Sequence, residues 1–443
     1  MKPISSPSPA LWRQLQGAAS AVQAVLAGQS LTQTLDRVAL QDRPGVQALS
    51  FVALRQLGRA MALRRLLAPR KPPVAVDALL CTVLALAGSE AGAHYAAHTL
   101  VNQAVEAARR QHDTRAHSHF INACLRRYLR EQEMLVKTIE EDAQARWNHP
   151  VWWVHALQQD HPDHWQQILA SAQEAAPMTL RINLKHGTPQ DYLARLRSQG
   201  LDGRLVGQTG IQLAQPVPVQ KLPGFAQGHA SVQDAAAQLA APLLLQGLQA
   251  SSALRVLDAC AAPGGKTGHL LECMPQARVL ALDVDDRRCL RIHDNLQRLG
   301  VHAEVRTADA AEPSTWWDGV LFDAILLDAP CTASGIGRRH PDVRWLRRPQ
   351  DVTQLASVQA SLLARLWPLL APGGRLLYCT CSVFKAEGQS QIESFLVRNT
   401  DAQLLPSPGH LRPAPAPCSP SLMDNALGEH DGFFYALLAK RTP

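Results

Sequence analysis

Apolar positions recur at two different periods along the 443 residues, and the change of period divides the chain. Over residues 10–142 the spacing is helical. Leu11, Leu15, Ala18, Val22 and Val25 fall on one face, as do His98, Val101, Val105 and Ala108. Proline-containing breaks at 42–45 and 68–73 separate the helices. Residues 145–235 mix short apolar strands with a helix: strands at 179–184 and 210–213, and a helix at 189–199. From about 236 the pattern is strand, loop, helix, repeated. The predicted strands are 254–258, 279–283, 303–306, 324–328 and 375–380, with helices such as 286–299 between them. That alternation requires a parallel, doubly wound sheet. Residues 432–438 read as a last strand, for which an antiparallel placement is open. The Pro- and Ser-rich stretch 404–420 reads as an exposed loop. The predicted organisation is therefore an all-α domain over 1–142, a small α+β subdomain over 143–235 and an α/β domain over 236–443, consistent with a chain too long for one core.

Composition adds little to this division, but charge does. The chain carries 44 Lys and Arg against 37 Asp and Glu, for a formal +7. Residues 1–145 hold 17 basic and 11 acidic residues, so most of the excess lies in the helical part. A basic helical face suits a polyanion, although a solvated surface has the same charge. The nine cysteines show neither a disulfide framework nor paired zinc spacing. Reduced thiols, a cytoplasmic location and no metal are expected. No signal peptide is apparent at the N-terminus, and the apolar stretch 74–87 is too short to span a bilayer, so no membrane partner is expected.

The densest chemistry lies where strands end. Val256-Leu257-Asp258 runs into Ala259-Cys260-Ala261-Ala262-Pro263-Gly264-Gly265-Lys266-Thr267, a small-residue loop leading into a helix. Such a loop lets backbone N–H groups approach a ligand. A nucleoside triphosphate fits poorly, because the first P-loop glycine would fall on Cys260. A dinucleotide fits poorly because Gly264, Gly265 and Gly268 are misspaced for its fingerprint. S-adenosylmethionine needs no pyrophosphate cradle. It needs an acid at the end of the next strand for its ribose, and Asp283 is there, 19 residues beyond Gly264. Asp309, just after the third strand, is placed to hold the adenine amino group.

The fourth strand ends Asp328-Ala329-Pro330-Cys331 and the fifth ends Cys379-Thr380-Cys381-Ser382. Both belong at the carboxyl edge, where doubly wound folds bind ligands. Cys379, inside an apolar strand, is expected to be buried. A thiolate adding to carbon 6 of cytosine turns carbon 5 into a nucleophile toward a sulfonium methyl, which is covalent catalysis. Cys331 and Cys381 are both candidates for that thiol. Asp328 is placed to contact cytosine N3 and its amino group as charge develops. Arg338, Arg339, Arg344, Trp345, Arg347 and Arg348 crowd eleven residues after Cys331. Arginines interleaved with an aromatic suit phosphate contact and base stacking, so these are the candidate RNA-binding residues. A target base must be unpaired or flipped out.

These strings, with Thr380-Cys381-Ser382-Val383 and Asp431-Gly432-Phe433-Phe434-Tyr435, closely resemble the Sun (Fmu) family of ribosomal-RNA cytosine-5 methyltransferases, of the bacterial RsmB type. Residues 98–108 and 122–127 are similar to the helical RNA-binding domain related to the antitermination factor NusB. The resemblance implies a class I S-adenosylmethionine methyltransferase domain preceded by NusB-like and RRM-like domains. It implies Cys381 as nucleophile and Cys331 as the thiol that assists release. Cys260, Ala261, Ala262, Pro263, Gly264, Gly265, Lys266, Asp283, Asp309 and Asp328 would line the cofactor site, with Lys266 also able to reach the base. Small-subunit ribosomal RNA, unassembled or in an early particle, is the implied partner of a monomer. The chain departs from the family at Cys379, where a small residue is usual, at Ala308-Asp309-Ala310 and at Asp234-Ala235-Ala236, none expected to touch a catalytic group. Two rival readings stand beside this one: a non-catalytic RNA-binding or ribosome-assembly factor that keeps the fold, and a DNA methyltransferase.

Overall fold

The computed structural model describes residues 9–89, 95–248, 254–413 and 429–442. Residues 414–420 of the predicted loop and residues 1–8 of the N-terminus lie outside them. The chain forms two compact units: residues 1–174 with 337–348, and residues 175–336 with 349–443.

The first unit is helical: α1 (Leu11–Leu26), α2 (Leu31–Asp36), α3 (Arg43–Arg55), α4 (Leu57–Leu67), α5 (Val74–Ala87), α6 (Ala97–Arg110), α7 (His112–Arg115), α8 (Ser118–Thr138), α9 (Ala143–Trp147), α10 (Val151–Asp160) and α11 (Trp165–Ser171). The predicted face of α1 is the buried one, with Leu15, Ala18, Val22 and Val25 in the core. α5 is buried on nearly every side from Val76 to Leu86. It is the central helix, which is why its sequence is apolar all round. The unit runs on past the boundary expected at 142. Asn148 ends α9 in the left-handed region (φ 51°). Its side chain accepts from Arg59 N and donates to Gln56 and Gln173. A Cβ on Gly58 would lie 2.2 Å from the Gln144 carbonyl oxygen, so α4 and α9 touch backbone to backbone.

The second unit holds two sheets. The smaller comprises β1 (Thr179–Ile182), β2 (Gly203–Val206), β3 (Gly210–Leu213) and β4 (Ala230–Val232), antiparallel in the order β2-β3-β1-β4. Between β1 and β2, α12 (Pro189–Ser198) starts on a Thr188–Asp191 capping box and buries Tyr192, Leu193 and Leu196. After α13 (Ala240–Leu245) the larger sheet begins: β5 (Arg255–Asp258), α14 (Gly265–Cys273), β6 (Arg278–Asp283), α15 (Asp286–Leu299), β7 (Glu304–Thr307) and β8 (Phe322–Asp328). The short α16 (Val343–Leu346) belongs to the first unit. Then come α17 (Pro349–Leu366), β9 (Leu370–Thr380), α18 (Gln389–Arg398), β10 (Ala402–Leu411) and β11 (Phe433–Lys440).

The large sheet has the order β10-β11-β9-β8-β5-β6-β7. β9, β8, β5, β6 and β7 are parallel, and β11 and β10 are antiparallel. The inner parallel strands β5, β6 and β8 are buried, so their sequences are largely apolar, whereas β7 at the edge is exposed and polar. Successive residues alternate between two cores: Val256, Ala281, Leu326 and Leu377 on one face, Leu257, Leu282, Leu327 and Leu376 on the other. The expected loop over 404–420 is corrected here, because it opens within strand β10. Pro406 and Pro408 occupy a register shift between Leu405 and Gly409 on the sheet's edge, where missing N–H donors disturb no central ladder.

Residues 337–348 are built into the first unit. Arg344 is wholly buried. Its guanidinium donates to the carbonyls of Ala172 (2.5 Å), Gly337 (3.0 Å) and Asn148 (3.4 Å). Trp345 donates from Nε1 to Leu54 O at 2.8 Å, Asp342 accepts from Leu31 N, and Arg55 donates to Arg338 O.

Candidate active site

The carboxyl edge of the large sheet gathers the predicted chemistry. β5 ends at Asp258 and the chain turns through the small-residue loop into α14. Gly264 has φ 90°, and a Cβ there would lie 3.1 Å from Ile292 of α15. Glycine is needed both for the turn and for the close packing of the two helices. Thr267, near the start of α14, donates to Asp258 Oδ2 at 2.7 Å. Arg181, buried on β1, makes a two-pronged contact with Glu272 at 2.9 Å for each prong and donates to Gly265 O at 2.9 Å. The small sheet thereby holds both the start and the body of α14.

Asp283 ends β6, buried. Its Oδ2 accepts from Ala262 N at 3.3 Å and its Oδ1 from Asp285 N at 3.1 Å. Asp309, after β7, is exposed and caps its own turn through Ala311 N. Asp328 ends β8 and forms an ion pair with Lys266, Nζ to Oδ2 at 2.5 Å. Burial works against the Lys266 charge, but Asp328 and the neighbouring thiols outweigh it and raise its pKa. The Lys266 ammonium also lies 5.7 Å over the Phe433 ring.

Cys331 and Cys381 meet here with their sulfurs 3.4 Å apart. Both are partly exposed. The hydrogen bond to Cys381, followed by burial, pushes the Cys331 thiol well up. The backbone behind the pair is tight. Gly335 N donates to Cys381 O and Gly432 N donates to Gly335 O, both at 2.9 Å. A Cβ on Gly335 would lie 2.1 Å from the Gly432 carbonyl oxygen. A Cβ on Gly432 would in turn lie 2.8 Å from Gly335 Cα, which explains why a glycine precedes Phe433-Phe434-Tyr435.

Cys379 is fully buried, as expected, but it is not a bystander. It pairs with Asp328 across β8 and β9, and its thiol lies 3.5 Å from Asp328 Oδ1. Burial, reinforced by Asp328, raises its pKa, so it stays a neutral donor to that carboxylate. The expectation that position 379 touches no candidate group is corrected. Cys260 is partly exposed, and burial pushes its thiol up strongly.

The edge thus collects Cys260 to Lys266, Asp283, Asp309, Asp328, Cys331 and Cys381 within the second unit. The arginine segment is different. Arg338 and Arg344 are buried in the first unit, so the reading of these two as RNA contacts is corrected, and Trp345 is half-buried there. The Arg344 guanidinium and the Trp345 indole donate to protein carbonyls instead. Arg339 and Arg347 are half-buried and Arg348 is exposed. The residues around the thiols that sequence reasoning missed are Thr332, Gln359, Ser382 and Glu387. Their only signal was an acid six residues after Cys381, too weak to single out.

A family model described as 16S rRNA methyltransferase RsmB/F matches residues 245–439. A second, described as an RsmF/B-like ferredoxin-like domain, matches residues 149–220. The chain is 42% identical over 440 residues to a ribosomal RNA small subunit methyltransferase B of Pseudomonas syringae pv. tomato, covering 96% of each. It is 45% identical over 324 residues to a protein of the same name from Klebsiella pneumoniae, 72% of each. A solved methyltransferase homolog protein from Pyrococcus horikoshii superposes with a TM-score of 0.56 at 28% identity, covering 68% of this chain and 98% of that one.

Proposed function

Because this chain belongs to the 16S rRNA methyltransferase RsmB/F family, we propose that it methylates carbon 5 of an unpaired cytosine in 16S rRNA, using S-adenosylmethionine. The observation that carries the reading is the Cys331–Cys381 pair, 3.4 Å apart, at the sheet edge that also holds the Lys266–Asp328 ion pair.

The residues fit the cofactor. A Cβ added to Gly265 would meet only Gln233 Nε2, at 3.8 Å, so there is room beside the start of α14. A carboxylate offers about four lone-pair sites. Asp283 uses two on backbone N–H groups and keeps capacity for ribose hydroxyls. Asp309 stands exposed at the next strand end for the adenine side. When bound, S-adenosylmethionine supplies an electrophilic methyl group.

The protein does the rest. Cys381 adds through Sγ to carbon 6 of the base. Lys266 neutralises Asp328 and keeps it oriented, and Cys379 holds its other oxygen. Asp328 thereby accepts from the exocyclic amino group, and from N3 once that nitrogen takes up a proton as electrons move into the ring. Cys331, whose pKa is raised, stays protonated and donates toward the Cys381 sulfur. Once carbon 5 carries the methyl group it gives up its proton to a base, the carbon–sulfur bond to Cys381 breaks, and Cys331 assists this release by giving its proton to the departing sulfur. In the first unit, the helical bundle serves as a NusB-like RNA-binding domain, with Arg348 and the flanks of Arg339 and Arg347 as its charged contacts. The working protein is a cytoplasmic monomer of three domains acting on free or early-assembling RNA.

RNA containing 5-fluorocytosine tests the reading. A covalent adduct is expected with the intact protein, and none with Cys381→Ala. An adduct that survives this change and needs Cys331 would reverse the two thiols. Tight RNA binding with neither adduct nor methyl transfer would instead favour an assembly factor. Competition between RNA and DNA of one sequence separates the nucleic acids.

A further inference from the structure

Glu387 lies in the turn after β9, wholly buried, and bonds to the residues flanking both thiols. Its Oε1 accepts from Thr332 N at 2.8 Å and from Gln359 Nε2 at 3.2 Å. Its Oε2 accepts from Thr332 Oγ1 at 2.5 Å and Ser382 Oγ at 2.6 Å. Thr332 follows Cys331, and Ser382 follows Cys381. The residues before the thiols are tied to the same group. Gln359 Nε2 also donates to Pro330 O at 2.9 Å, and Thr380 Oγ1 donates to the Glu387 carbonyl at 3.2 Å. The Tyr378 hydroxyl lies 2.8 Å from Glu387 O and 3.1 Å from Gln359 Oε1, and its single hydrogen is shared between the two.

We propose that Glu387 is the positioning residue that brackets the two thiol-bearing loops and fixes the spacing of Cys331 and Cys381. The assignment of a catalytic purpose to that spacing rests on the function proposed above; the bracket itself does not.

The donor pattern explains why the residue is an acid. All four contacts to its side chain bring hydrogens, and an ionised carboxylate is acceptor-only. Ser382 can donate to Glu387 because its oxygen is supplied from elsewhere. Phe384 N donates to Ser382 Oγ, and Ser334 Oγ lies 2.8 Å from it. Ser334 in turn accepts from Val383 N. An amide at 387 could keep its two N–H contacts only by turning its NH2 group toward Thr332 Oγ1 and Ser382 Oγ, so that both hydroxyls must reverse; Ser382 Oγ already accepts from Phe384 N and pairs with Ser334 Oγ, and its reversal leaves the Ser334 hydroxyl without its acceptor there. Burial raises the Glu387 pKa, and the hydrogen bonds from Ser382, Thr332 and Gln359 offset part of that rise. A buried network of this kind works only when every member is satisfied.

Phenylarsine oxide reads the spacing without any enzymatic activity. It reacts with two neighbouring thiols, forming two As–S bonds and releasing its oxygen as water. In the full-length protein one arsenical is expected to bridge Cys331 and Cys381 and protect both from iodoacetamide, as mapped by mass spectrometry. Glu387→Gln should weaken bridging at least tenfold and slow 5-fluorocytosine adduct formation by a similar factor or more, with the apparent affinity for RNA unchanged. Ser382→Ala and Thr332→Val each remove one arm and should give smaller losses, and Thr332→Ser should restore bridging. These variants read the bracket should Glu387→Gln not fold. Wild-type arsenical affinity in Glu387→Gln, or in both single-arm variants, overturns the proposal. If bridging falls as expected but the intact protein never forms the RNA adduct, the bracket stands and the proposed reaction fails.

Discussion

Asp258 is a carboxyl group that the fold forces toward neutrality, and its replacement by asparagine has an effect that changes with pH. The side chain is fully buried at the end of β5. Burial raises its pKa from 3.8 to about 7, with Thr267 pulling it down and Asp328 and Asp283 adding to the rise. A folded-state pKa above the unfolded one means that the native protein holds the proton more tightly. The stability this contributes is therefore full below pH 3.8 and is lost as pH rises through about 7. Three pH units correspond to about 4 kcal/mol, and the share falling between about pH 5 and pH 8 is about 3 kcal/mol. An asparagine at this position cannot ionise, and its amide oxygen can still accept from Thr267. Asp258 Oδ1 has no hydrogen-bond partner among the described residues, so the new NH2 group is left unpaired at about 1–3 kcal/mol. The variant should therefore equal or fall below the wild type at about pH 5 and exceed it at about pH 8. The measurement is the difference in urea unfolding free energy between Asp258→Asn and wild type at each pH, in which other titrating groups cancel. A difference that does not change with pH refutes the reasoning.

Gly335→Ala places a methyl group against the Gly432 carbonyl behind the thiols. It should cost at least about 2 kcal/mol in unfolding free energy and slow adduct formation, measured in the same preparation. Lys266→Met leaves Asp328 without its cation, and methyl transfer from labelled cofactor to RNA should fall by about 10²-fold; a change of less than about threefold would remove Lys266 from the reaction. Arg344→Met should destabilise the helical unit yet leave the salt dependence of RNA binding unchanged, whereas Arg348→Ala should reduce the slope of log K against log salt by about one. A reduced slope for Arg344→Met would contradict its buried position.

The features of the fold set by local pattern were legible in the sequence. The buried strands leading to Asp258, Asp283 and Asp328 announce themselves as apolar runs that stop at an acid, and helix 286–299 has a stripe of Cys289, Ile292, Leu296 and Leu299 closed by Gly300. What could not be read depends on partners distant in the chain. Arg344 and Trp345 look like an RNA contact because a guanidinium and an indole suit phosphates and bases as well as they suit Ala172, Asn148 and Leu54. Strand β10 was hidden because its prolines argue against a strand and only its place at a sheet edge tolerates them. Cys379 read as packing, which is right for its burial and silent about Asp328, its partner on the neighbouring strand. Glu387 was invisible for the same reason, since its meaning lies in Thr332 and Gln359, 55 and 28 residues away.

Residues 337–348 also set an order of events during synthesis. The helical unit begins at the N-terminus, but the piece that supplies Arg344 to Asn148 and Ala172, and Trp345 to Leu54, is translated 172 to 291 residues after its neighbours. A nascent chain that has delivered 174 residues holds most of the bundle and lacks its closing insert. Completion waits until residue 348 has left the ribosome, by which time β5 through β8 have already been made. The helical unit cannot be completed before strands β5 to β8 have been made, and the two units of the protein are coupled in time by a short detour of the chain.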